Sequence, residues 1–100
     1  MVLFMANEKI KSKSADMLFE AVLSLQNKEE CYSFFEDLCT IKELQSLSQR
    51  LEVAKLLSEK KTYLEIAKLT HASTATISRI NRALEYGADG YKTVLSKLKS

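Results

Sequence analysis

The chain has 100 residues and a formal net charge of +2, and it contains two glycines and no proline. This composition favours helices over a sheet built from tight hairpins, because alanine, leucine, glutamate and lysine are abundant and the turn-forming residues glycine and proline are scarce. The length suits one domain, and a lone chain of this size buries only a modest share of its surface, so pairing with a second copy is a natural supplement.

The chemistry-bearing residues exclude several classes of function. Cys31 and Cys39 lie near one predicted helix without a CxxC motif or a histidine cluster, so we expect buried, reduced thiols and neither a disulfide nor a metal site. Because no Ser/His/Asp set and no phosphate-binding glycine loop occurs, we predict no catalytic residue, no enzyme and no cofactor. The apolar residues 1–5 are too few for a signal peptide or membrane span, which indicates a cytoplasmic protein without membrane contact.

A basic arm and an amphipathic helix come first in chain order. Residues 1–13 include Lys9, Lys11 and Lys13 and are expected to form a flexible arm, followed by one helical domain over 14–100. The first helix is predicted from Ser14. Its apolar positions recur at spacings of three and four and are Met17, Leu18, Ala21, Val22 and Leu25, with Phe19 on the flank.

Capping boxes predict where the next two helices begin. Asn27 with Glu30 starts a short helix, whose apolar residues we expect in the core: Cys31, Tyr32, Phe34, Phe35 and Leu38. Thr40 with Glu43 starts a long helix. Its apolar stripe is wide enough to bury against more than one neighbour and consists of Leu44, Leu47, Leu51, Ala54 and Leu57, with Val53 and Leu56 beside it.

Two short helices joined by a turn are predicted over residues 62–86. Thr62 with Glu65 makes another capping box, and the first helix carries Ile66, Ala67 and Leu69 as its apolar residues. His71 stands at the turn, where a left-handed backbone usually favours glycine. Ser73 or Thr74 then caps a second helix with Ile77, Ile80 and Leu84 on its buried side. This arrangement is a helix-turn-helix, which places its second helix in a DNA groove.

A last helix and a surplus of apolar faces complete the prediction. Gly87 is expected to end the preceding helix in a left-handed conformation, and Gly90 precedes a helix with the apolar residues Tyr91, Val94, Leu95 and Leu98. The sequence therefore predicts an all-α fold of six helices. A monomer of this size cannot cover every apolar face, so we expect an intertwined homodimer.

Charge is distributed unevenly along the chain. Residues 16–43 contain seven acids and two bases, whereas residues 60–82 contain five bases and one acid, a local net charge of +4. The basic segment coincides with the predicted helix-turn-helix, and double-stranded DNA is therefore the expected partner. Within it, the candidate DNA-binding residues are Lys68, Ser73, Thr74, Ala75, Thr76, Ser78, Arg79 and Arg82.

Five segments resemble those of a known family: DLCT at 37–40, LSQRLEVAKLL at 47–57, TYLEIAKLT at 62–70, ASTATISRINRALEYG at 72–87 and GY at 90–91. The chain is similar to the Trp repressor superfamily, in particular its YerC/YecD-type branch. The most specific piece is ATISR inside the predicted helix-turn-helix. The resemblance implies a six-helix, interlocked homodimer that regulates transcription.

The resemblance also implies a site for a small effector. In tryptophan-responsive members two arginines sandwich the indole beside a threonine, and these positions match Arg50, Arg79 and Thr40. Two further positions depart, because Ile80 matches a glycine that makes room for the ring and Ala83 matches a serine that holds the amino group. We therefore expect tryptophan binding to be weakened by several kcal/mol, so that L-tryptophan is not the effector.

Two functions from different classes follow from the sequence. The first is a sequence-specific DNA-binding transcriptional regulator that acts as a homodimer through the major groove. The alternative is a protein-interaction module that retains the repressor fold without specific operator binding. A steep loss of DNA affinity with salt, accompanied by sequence selectivity, would favour the first.

Overall fold

A computed structural model describes residues 8–99, and all the regular secondary structure in that range is helical. A short 3₁₀ turn at Glu8–Ile10 precedes six α-helices: α1 (Lys13–Ser24), α2 (Lys28–Leu38), α3 (Ile41–Ser58), α4 (Tyr63–Thr70), α5 (Thr74–Tyr86) and α6 (Gly90–Leu98). The predicted all-α fold with six helices is confirmed. The chain divides into two compact units, one up to Leu44 and one from Gln45 onward.

In the N-terminal unit, side-chain caps determine where the helices begin. The Ser12 hydroxyl accepts from the Ala15 N–H at 3.0 Å, so α1 begins at Lys13, one residue before the predicted Ser14. Much of the predicted basic arm, residues 1–7, lies outside the described residues. Glu8 pairs with Lys11 at 3.4 Å, next to the 3₁₀ turn.

The two predicted capping boxes of this unit differ in detail. The Asn27 side chain accepts from the Glu30 N–H at 2.9 Å, but the Glu30 carboxylate accepts from the Gln26 N–H rather than from Asn27. At α3 the bonds are reciprocal, because Thr40 N–H donates to Glu43 and Glu43 N–H donates to the Thr40 hydroxyl. The predicted starts of both helices are confirmed.

The apolar faces of α1 and α2 are only partly covered by the described residues, 8–99. Neither helix contains a buried residue, and Met17, Leu23 and Tyr32 are 70%, 84% and 67% exposed. Phe34 and Phe35 are half-buried and meet edge to face with ring centroids 5.6 Å apart. Within the single chain, the prediction that the apolar residues of α2 form a core is wrong for Tyr32 and for Leu38, which is 49% exposed. A helix buries only the side that another element covers, and the Tyr32 side is uncovered.

The prediction of buried cysteines is also wrong for Cys31. Its side chain is exposed and that of Cys39 is half-buried, and both thiols are free. Cys31 directly precedes Tyr32 in α2, and both side chains are exposed.

The C-terminal unit contains a closed hydrophobic core. It is formed by residues from α3, the α4–α5 segment and α6, namely Val53, Ala54, Ile66, Ala72, Ile77, Ile80, Leu84 and Leu95. The predicted buried side of α5 is confirmed at all three positions. Leu56, Leu57, Ala67 and Tyr91 pack against this core and are partly buried.

Several predicted apolar positions of the C-terminal unit face outward instead. Leu69 is 60% exposed, because the buried side of α4 is centred between Ile66 and Thr70 and Leu69 lies roughly 80° around the helix from that direction. In the predicted α3 stripe only the C-terminal half contains a fully buried residue, Ala54, whereas Leu47 and Leu51 are 44% and 37% exposed. On α6 only one side contacts the core, and Val94 and Leu98 remain exposed.

The segment between α5 and α6 corrects one further prediction. Gly87 has φ −88° rather than a left-handed conformation, whereas Asp89 is left-handed with φ 64°. Gly87 is required for a different reason. A Cβ at this position would collide with the Ala83 carbonyl oxygen and lie 3.1 Å from the carbonyl carbon, since Gly87 N–H donates to that same carbonyl at 2.9 Å.

Candidate nucleic-acid interface

Local features of the chain determine where α4 begins and where it ends. The Thr62 hydroxyl accepts from Glu65 N–H at 3.1 Å and the Glu65 carboxylate accepts from Thr62 N–H at 2.8 Å, which confirms the predicted capping box. The hydrogen bond that the carboxylate accepts from the Thr62 N–H lowers the pKa of Glu65, and the Thr62 hydroxyl and the nearby Lys61 charge act in the same direction. At the other end of α4, His71 adopts φ 63° and ψ 16°, as the sequence predicted for this turn position.

Ser73 begins α5. Its hydroxyl accepts from the Thr76 N–H at 3.1 Å and donates to the Thr76 hydroxyl at 3.0 Å. Because these two hydroxyls contact each other, both contribute to the cap. The sequence predicted Ser73 as one of two candidate caps, and the structure selects it over Thr74.

The two sides of α5 differ in chemistry. One side packs into the core, and the other exposes short hydroxyl and methyl groups together with guanidinium groups. Among the predicted DNA-binding residues, those with exposed side chains are Lys68, Ser73, Thr74, Ala75, Ser78, Arg79 and Arg82. Positions 75, 78, 79 and 82 follow helical spacing, so their side chains form one continuous exposed surface over roughly the first two and a half turns of α5.

Thr76 differs from the other residues of that group because it is partly buried. Its side chain contacts the Ser73 hydroxyl and lines a cavity on the α3 side of α5. This placement gives it a structural role in the cap in addition to the predicted contact with DNA.

The cationic side chains of this surface are not neutralised by neighbouring acids. Over residues 8–99, no carboxylate lies within ion-pair distance of Lys68, Arg79 or Arg82, whereas Lys11, Lys55 and Lys92 each pair with an acidic side chain. Exposed, unpaired guanidinium groups are suited to phosphate oxygens, because their planar donors match the geometry of an anionic oxygen pair.

The cavity beside α5 has a volume of about 250 Å³. Four residues of the predicted effector site line it: Arg50, Arg79, Ile80 and Ala83. The other lining residues were not predicted for this site and are Ser46, Gln49, Thr76 and Tyr91. Ile80 is only 4% exposed and belongs to the core. The fifth predicted residue, Thr40, lies in the N-terminal unit, where its hydroxyl caps α3.

Gln49 is a residue whose role the sequence did not reveal. Its side-chain Nε2 donates to the Thr70 carbonyl oxygen at 3.1 Å and connects α3 to the end of α4. No sequence motif marks such a bond, because its partners are 21 positions apart and only the packing of α3 beside α4 brings them together.

Two other kinds of site are absent from residues 8–99. No group of three or more histidine, cysteine, aspartate or glutamate side chains there could hold a metal ion. None of the helices described in that range combines the length and the apolar character needed to span a bilayer.

Comparison with known proteins gives consistent matches. The family model of the Trp repressor protein matches residues 13–99. The protein YerC of Bacillus subtilis (strain 168) is 55% identical over 92 residues, which cover 92% of this chain and 88% of YerC.

Two crystal structures also resemble the chain. A TrpR-like protein from Eubacterium eligens ATCC 27750 is 58% identical with a TM-score of 0.90, covering 93% of this chain and 96% of that one. A candidate Trp repressor from Staphylococcus aureus is 50% identical with a TM-score of 0.90, covering 95% of both chains. With the family model matched over nearly the whole chain and both folds superimposing closely, the protein belongs to the Trp repressor family.

Proposed function

We propose that the protein is a homodimeric, sequence-specific DNA-binding regulator of transcription, with α5 as the helix that enters the major groove. The observation that carries this proposal is the exposed surface of α5, where unpaired arginines lie beside short hydroxyl side chains. Membership of the Trp repressor family supports the same function. We assign phosphate contacts to Lys68, Arg79 and Arg82, and contacts with base edges or bound water to the start of α5, at Ser73, Thr74, Ala75, Thr76 and Ser78.

Selection of bound duplexes from random or genomic DNA tests the proposal, with and without a pool of metabolites. We expect one enriched site with two-fold symmetry, because a homodimer repeats its contacts on two half-sites about 34 Å apart. Failure to enrich any duplex, at low salt as well as at moderate salt, would reject DNA recognition and leave the protein-interaction module as the better hypothesis.

Arg82→Ala tests the assignment of the α5 surface. We expect weaker binding to all duplexes and a shallower dependence of log K on log salt, by about one unit per phosphate contact removed. Lys97→Ala is the matched control, because it also removes one exposed positive charge, but on α6. Equal effects of the two substitutions would show that only total charge matters and that the surface is wrongly assigned.

The homodimer is supported by the apolar faces of the N-terminal unit. Side chains as large as Met17, Leu23 and Tyr32 are mostly exposed in the single chain, and burying such area against a second copy is favourable by roughly 25 cal/mol per Å². Sedimentation equilibrium is expected to give twice the chain mass of 11.3 kDa. A mass of one chain at micromolar concentration would contradict the proposal.

The cavity lined by Arg50 and Arg79 is the proposed effector site, with L-tryptophan excluded as its ligand. Ile80 places a buried, branched side chain in the wall of the cavity, and Ala83 offers no hydroxyl there. A ring that needs this space would collide, and a ligand amino group would lack one acceptor. Isothermal calorimetry is expected to detect no saturable binding of L-tryptophan, and micromolar binding would reject this part of the proposal.

A further inference from the structure

Gln49 contacts two features of the C-terminal unit at once. Its side chain lines the cavity beside Arg50 and Arg79. Its Nε2 also donates a 3.1 Å hydrogen bond to the carbonyl oxygen of Thr70, the last residue of α4. The left-handed His71 follows immediately. One partly buried side chain therefore connects the wall of the cavity to the turn that precedes α5.

The bond meets a specific need at the end of α4. The last four carbonyl groups of a helix have no donor within that helix, and donors from elsewhere must satisfy them. The buried Thr70 is held locally by its hydroxyl, which donates to the Ile66 carbonyl at 2.8 Å and accepts from the Ala72 N–H at 3.2 Å. The Gln49 bond adds a restraint from α3, so that the position of the turn depends on the position of the Gln49 side chain.

We infer that Gln49 is a positioning residue that transmits occupancy of the cavity to the α4–α5 turn. A molecule in the cavity meets the side chain that holds the Thr70 carbonyl. When that side chain shifts or becomes more rigid, the restraint on the turn changes, and so does the orientation of the Ser73 cap at the start of α5. The inference rests on the proposed function, because the start of α5 is the proposed DNA surface.

Amide hydrogen exchange in the full chain tests the restraint without DNA. Gln49→Met keeps the length of the side chain and removes the donor, so we expect exchange of the His71 and Ala72 amides to accelerate about fivefold to tenfold. Gln49→Lys is expected to restore most of the protection, because it returns an N–H donor. Gln45→Met, one turn earlier on α3 and exposed, is the control. Unchanged exchange at both amides, or an equal rise along the whole chain, would overturn the inference.

A double-mutant cycle tests the transmission. Ala83→Leu places additional methyl groups into the cavity from α5, and Ser46→Leu does so from α3 if the first variant fails to fold. We expect either change to alter exchange at His71 and Ala72 about threefold in the wild-type background and to have almost no effect in the Gln49→Met background. Equal effects in the two backgrounds would show that the cavity does not act through Gln49.

Binding to the selected duplex separates the inference from the proposed function. Gln49→Met is expected to weaken affinity about fivefold with an unchanged salt slope, because no phosphate contact is lost. Wild-type affinity in this variant would overturn transmission to the DNA surface. If the wild-type chain itself selects no duplex, the proposed function fails, while the exchange measurements still decide the role of Gln49 in the turn.

Discussion

The two glycines offer a matched test of the packing between α5 and α6. At Gly87 an added methyl group collides with the Ala83 carbonyl, which belongs to the helix backbone and cannot rotate away. At Gly90, the first residue of α6, the same methyl group meets no atom within 4 Å. Neither glycine has a positive φ, so alanine is conformationally acceptable at both positions and steric contact alone distinguishes them.

The expected effects on stability have opposite signs. Replacing glycine by alanine at a compatible position stabilises a protein by about 0.4–1 kcal/mol, because the unfolded chain loses freedom. We expect this gain for Gly90→Ala. Forcing an extra methyl group into a filled space costs about 1–3 kcal/mol, so Gly87→Ala is expected to lower the free energy of unfolding by about 1–2 kcal/mol. The two variants should therefore differ by about 2 kcal/mol.

Urea denaturation followed by circular dichroism measures this difference. The variants must be compared at one protein concentration, because the stability of a dimer depends on concentration. Similar slopes with urea would show that the variants expose the same surface on unfolding. If Gly87→Ala proves as stable as Gly90→Ala, steric exclusion by the Ala83 carbonyl is not the reason for glycine at this position.

Three further predictions concern the α4–α5 segment and α2. His71→Gly should raise the free energy of unfolding, measured by urea denaturation, by about 0.5–1 kcal/mol. The reason is that the strain of a left-handed histidine, which glycine removes, exceeds the entropy cost of ordering a glycine. A lower free energy of unfolding in this variant would contradict the prediction. Because the pKa of Glu65 is lowered in the folded chain, the ionised carboxylate should stabilise the fold at neutral pH, and this stabilisation should disappear as the pH falls through the lowered pKa. Urea denaturation should therefore give a lower free energy of unfolding for Glu65→Gln than for wild type at neutral pH, and the difference between the two should vanish in acid. If the α2 surface is covered by a second copy, the exposed Cys31 thiol should react with a maleimide more slowly as protein concentration rises, and a constant rate would place it outside the dimer contact.

The sequence alone determined where most of the helices begin, to within about a residue, and which face of α5 is buried. Capping residues act within three or four positions of the chain, so Asn27, Thr40 and Thr62 identified helix starts without knowledge of tertiary contacts, and the start of α5 was narrowed to Ser73 or Thr74. The period of 3.6 residues likewise identified the buried side of α5. The same local chemistry identified most of the exposed basic and hydroxyl residues of the proposed DNA surface.

Only the tertiary structure decided the features that depend on contacts between distant segments. The bond from Gln49 to Thr70 and the presence of Tyr91 in the same cavity wall as Arg50 require α3 and α6 to lie near segments far away in sequence. Coverage of an apolar face also depends on its neighbours, which is why Leu69 and Tyr32 are exposed although their spacing suggested burial. Periodicity reports which residues share a side of a helix, whereas packing decides which side is covered.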